Sequence, residues 1–121
     1  METTTATALY SQAHQQWREV VELGLHDSED VVYGIIPLLA RALSLDPDHL
    51  PSLDLLSDLL MEVGAYEEAA EFAEKMLSLA PANPTYRKKV TVLAGHDENR
   101  RRVVRAYLHQ KRLQLLKLTV R

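Results

Sequence analysis

Asp54, Asp58 and Glu62 fall at intervals of four residues within a leucine-rich segment, Leu53 to Glu62. On a helix such residues share one face, and with Met61 they form an anionic stripe beside an apolar one. Carboxylates stacked in this way suit a basic or amphipathic segment. An ordinary solvated helix face is the plain alternative. The opposite charge gathers near the other end, in Arg100-Arg101-Arg102-Val103-Val104-Arg105 and then Lys111-Arg112. These six are candidate anion-binding residues. Helical spacing brings Arg101, Arg105 and Arg112 to one side, and Val104, Leu108 and Leu115 to another. Such a helix could meet nucleic-acid phosphates or an anionic membrane. The favoured reading is a solvated cap whose apolar side covers the last repeat.

Catalytic chemistry finds little to stand on. The histidines, His14, His26, His49, His96 and His109, are dispersed and show no paired spacing of a metal site. There is no cysteine, hence no thiolate and no disulfide. The glycines are scattered, so no phosphate-cradling loop is formed. Glu67, Glu68 and Glu71 read as a wet helix face, not an acid–base pair. We expect no enzyme activity, no metal and no cofactor.

The elements that carry these charges show a repeated phrase. Ala42-Leu43-Ser44-Leu45-Asp46-Pro47 returns as Met76-Leu77-Ser78-Leu79-Ala80-Pro81, 34 residues later. Between the prolines, Leu53, Leu56, Leu60 and Val63 mark one helix, opened by Pro51 with Asp48 as its cap and closed by Gly64. A second helix runs from about Tyr66 to Leu79. Its small face of Ala69, Ala70 and Ala73 lets it lie close to the first, and Pro81 ends it. A hairpin of this kind has apolar surface on two sides and must stack to bury it.

Residues 50 to 83 resemble a tetratricopeptide repeat, with Leu56, Gly64, Tyr66, Ala69 and Pro81 in its slots. Leu53, Ser57, Leu60 and Ala73 depart from the pattern. The preceding unit is looser: Trp17 fits the tryptophan slot, with two extra residues placed around Leu25 to Asp30. Gly34 and Pro37 should kink its second helix, or make it start irregularly and settle by Leu38. The following unit opens at Asn83-Pro84, stops at Gly95 and continues as a long helix from Asp97 to about Leu116. The resemblance implies an all-α, right-handed solenoid of about three antiparallel helix pairs (8–47, 50–81 and 84–118), the last helix acting as a cap. The 121 residues suffice for one such domain.

The net charge of −3 hides a dipole along the chain. Residues 1–83 carry 3 basic and 15 acidic side chains; residues 84–121 carry 11 basic and 2 acidic. No apolar run long enough to span a membrane and no secretory leader is visible, which points to a cytoplasmic protein. The resemblance implies a protein-binding module, an adaptor or chaperone, with Asp54, Asp58, Met61 and Glu62 lining a wet concave groove. The same acids argue against a clamp for a partner's C-terminal carboxylate. The competing readings are a nucleic-acid-associated regulator acting through the basic helix, a bacterial secretion chaperone, and self-association through the apolar tail from Leu113 to Val120.

Overall fold

A computed structural model describes residues 4–117, and within them the chain is all helix, with no strand. Six α-helices follow one another: α1 (Ala6–Glu22), α2 (Glu29–Leu45), α3 (Leu50–Glu62), α4 (Tyr66–Leu79), α5 (Pro84–Leu93) and α6 (Asp97–Lys117). Each packs on the next, and α6 also lies against α1 and α3.

Local chemistry explains the boundaries. Thr5, Ser28 and Asn83 cap α1, α2 and α5, their side-chain oxygens accepting backbone N–H groups of the first turn. Helix α3 differs from expectation: its cap position is His49, without a side-chain cap bond, and Pro51 lies in its first turn. Asp48 instead donates its N–H to Asp46 Oδ1. Gly24 and Gly64 close α1 and α3 with the same two bonds. Each glycine N–H reaches three residues back (Val21 and Met61), and the next N–H reaches five back (Val20 and Leu60). This double bond needs a left-handed residue, supplied by φ of 70° and 81°.

The two turns are thus equivalent but 40 residues apart, whereas the phrases ending at Pro47 and Pro81 are 34 apart. The first hairpin therefore holds six extra residues, shared between a longer turn and a longer α2, instead of two. Trp17 accordingly stands where Ser57 stands in the second hairpin, one helical turn from the slot expected for it. Helix α2 is continuous from Glu29, so the irregular start does not occur. Tyr33, Gly34 and Pro37 are on its exposed side, where water can serve the carbonyl that proline cannot.

The core follows the helical stripes. It takes Ala13, Trp17 and Val21 from α1, Val32, Ile35 and Leu39 from α2, and Ala69 and Ala73 from α4. Helix α3 is central: from Ser52 to Met61 every residue except Asp54 is buried. Helix α6 adds Val104, Tyr107 and Leu108 to the same core. Of the apolar tail, Leu115 and Leu116 pack on this core and Leu113 is exposed. Leu118 to Val120 lie outside the described residues.

Candidate functional site: a groove between α1, α3 and α6

The four-residue spacing places Asp54, Asp58 and Glu62 on the α3 face that looks toward α5 and α6. Lys89 comes from α5. It is fully buried, and its Nζ stands 2.6 Å from Asp54 Oδ1 and 2.7 Å from Asp58 Oδ1. It also donates to Ser57 Oγ at 2.7 Å and to the Asp54 carbonyl at 3.0 Å. The approach to Asp58 is an ion pair outside hydrogen-bond geometry. Lys111 of α6 closes the other side, 3.1 Å from Asp54 Oδ2 and 3.3 Å from Asp58 Oδ2. Its neighbour Arg112, turned about 100° around the helix, donates Nη1 to Glu62 Oε2 at 2.5 Å.

The three acids and three bases balance, which is why charges can lie so deep: an unpaired buried charge is costly, and a paired one tolerable. Burial alone would raise the Asp54 carboxyl, but Lys89 and Lys111 outweigh it and hold the group below its ordinary 3.8. Burial likewise opposes the charge on Lys111, yet Asp58 and Asp54 prevail and push its pKa well above the usual lysine range. At Glu62 burial wins over Arg112, and the carboxyl titrates above its ordinary value. Tyr107 lies beneath the network, with the Lys89 and Lys111 ammonium groups 6.0 Å and 5.9 Å from its ring centroid. Burial first, and then the nearby Asp58, pushes its hydroxyl pKa up.

Beside this network a cavity of about 210 Å³ opens between α1, α3 and α6. Tyr10, His14 and Trp17 line it from α1, Leu55 from α3, and Leu108 and Leu115 from α6, with the ionic groups along one wall. Burial, aided by Arg18, lowers the pKa of His14 and so disfavours its charged form.

The expected wet groove is thus corrected. The side chains of Asp58 and Glu62 are only 9% and 7% exposed, Asp54 is partly open at 27%, and Met61 is in the core. The acids attract the chain's own basic helix, which covers them. The six basic candidates do not act as one cluster. Lys111 and Arg112 enter the groove, and Arg100 stacks on Tyr66 at 4.8 Å and pairs with Glu67 at 3.1 Å. Arg101 pairs with Glu98, Arg102 donates to Asn99, and Arg105 is exposed. Arg101, Arg105 and Arg112 do meet, lining a second cavity of about 430 Å³, but His26, Asp27, Glu29 and Glu62 share it and mix its sign.

Sequence reasoning missed Lys89, Tyr107 and the α1 wall. Lys89 did carry a signal: it precedes Val92 and Leu93 by three and four residues, a lysine on an apolar stripe. The contacts of α1 with α6 carried none, because they join opposite ends of the chain. Among the described residues no group of three or more His, Asp or Glu is arranged to hold a metal ion, and no helix is long and apolar enough to cross a membrane. No protein-family model matches the chain, and no curated protein matches its sequence.

Proposed function

We propose that this chain is a protein–protein interaction module, an adaptor or chaperone of tetratricopeptide-like build, that binds a basic amphipathic helix of a partner. In this reading the six helices are three stacked pairs, and α1, α3 and α5 present the groove. The supporting observation is the seat of α6. A helix with Lys111 and Arg112 between Leu108 and Leu115 lies on the three carboxylates of α3 and on the apolar wall beside them. Without α6, Asp54, Asp58 and Glu62 would face Lys89 alone. The groove would keep two negative charges, the number that Lys111 and Arg112 neutralise. A partner helix of the same pattern would meet the same complementarity.

The nucleic-acid reading is weaker, because four of the six basic residues are spent on acids of the same chain. Fluorescence anisotropy separates the two. Labelled helices with the Leu-x-x-Lys-Arg-x-x-Leu spacing should titrate against the full chain and lose affinity when Asp58→Asn is introduced. Labelled duplex DNA or single-stranded RNA should bind weakly at physiological salt. Tight nucleic-acid binding that collapses steeply with salt, and no peptide binding, would reverse the assignment.

A further inference from the structure

Helix α6 fills the groove only in part. Between α6 and the walls of α1 and α3 a cavity of about 210 Å³ remains, with Tyr10, His14, Trp17, Leu55 and Leu115 among its lining and the ionic groups along one wall. A cavity of roughly 150 Å³ already admits a benzene ring. The space can take an aromatic side chain, and its walls are apolar or aromatic on the side away from the carboxylates.

The link between α5 and α6 is only Ala94, Gly95 and His96, so α6 is held near its seat at a high effective concentration. A free helix making the same contacts would bind only weakly against it. To win, a partner must make a contact that α6 does not, and the cavity beside Leu115 is where one is to be had.

We infer that the groove takes a helix of another protein that repeats the spacing of Leu108, Lys111, Arg112 and Leu115 but carries tryptophan or phenylalanine in place of Leu115, and that α6 is the built-in competitor it displaces. This rests on the groove reading above and adds both an aromatic anchor and a regulator. The release of α6 has a structural basis. Three of its 21 residues are buried, against nine of 13 in α3, and it turns out of α5 through Asp97, at φ 54° the only non-glycine residue with positive φ among the described residues.

The test uses the full chain and two labelled synthetic peptides of sequence 97–117, one unaltered and one carrying Leu115→Trp. Anisotropy should show the tryptophan peptide binding on the order of tenfold tighter, as burying the larger ring implies. The chain variant Lys111→Gln/Arg112→Gln, with its own helix loosened, should bind both peptides on the order of tenfold better than wild type if the two ion pairs hold α6 down. Should that variant fail to fold by circular dichroism, hydrogen exchange on the wild-type chain decides: α6 amides must lose protection when the tryptophan peptide binds. Equal affinity of the two peptides would overturn the aromatic anchor while leaving the groove reading in place. Unchanged α6 protection in the bound complex would overturn the displacement. Failure of both peptides to bind either chain would overturn the groove reading itself.

Discussion

Replacing Lys89 by methionine removes one ammonium group and little else, since the two side chains have similar length and the site is closed. The amine lies within 2.7 Å of a carboxylate oxygen of both Asp54 and Asp58 and is wholly buried. Without it these two acids share Lys111 alone, and one buried negative charge is left over. Breaking a buried pair from one side costs about 3–5 kcal/mol. The Lys111 contacts at 3.1 Å and 3.3 Å favour the lower end, about 3 kcal/mol. For a domain of this size about 1 kcal/mol moves the melting temperature by roughly 4 °C, so a fall of about 12 °C is expected at pH 7 by calorimetry. Acid supplies an internal control. The Asp54 carboxyl is held below its ordinary 3.8 in the fold, so its stabilisation is complete above that value and is lost as the pH falls through the lower, folded one. Lys89→Met weakens this stabilisation, so the gap between variant and wild type should narrow below about pH 4. A melting temperature within about 4 °C of wild type at pH 7, or a gap that widens in acid, would show that Lys89 is not lodged between the carboxylates.

Ala69→Leu should cost roughly 1–3 kcal/mol by overpacking, since Ala69 is fully buried between α4 and its neighbours; an unchanged melting temperature would refute that contact. Glu62→Gln should approach wild type in acid, where glutamine imitates the protonated carboxyl that burial favours in the fold; a gap in melting temperature as large in acid as at pH 7 would contradict it. Gly64→Ala should cost about 1–2 kcal/mol through its φ of 81° alone, because no atom lies within 4 Å of an added Cβ; denaturant titration measures it, and no change would deny the helix-end motif. Removal of residues 96–121 should abolish cooperative melting, because it strips Val104, Tyr107 and Leu108 from the core and uncovers the acids of α3. A cooperatively folding 1–95 fragment would make α6 an independent arm.

Short-range chemistry was legible in the residues. The helix ends at Gly64, Pro47 and Pro81, the period of 34 and the small face of α4 are properties of a few neighbouring positions. Each has one local solution: a left-handed closing residue, a missing N–H, or a close approach. The acidic stripe was legible for the same reason, since residues four apart on a helix must share a face. What the stripe would face was not legible. Asp54 and Lys111 are 57 residues apart and Tyr10 is farther still from Leu115, and no periodicity within a helix states which distant helix will cover it.

The charge dipole along the chain held half of that answer, an acidic body and a basic end that attract. Attraction over such distances is nondirectional, so it could not distinguish a helix that recruits partners from one that folds back onto its own groove. Only packing made that choice. Once α6 sits with Val104, Tyr107 and Leu108 in the core, helical geometry carries Lys111 and Arg112 onto the carboxylates, and Lys89, marked in the sequence only by its place on an apolar stripe, becomes the buried charge that holds them together.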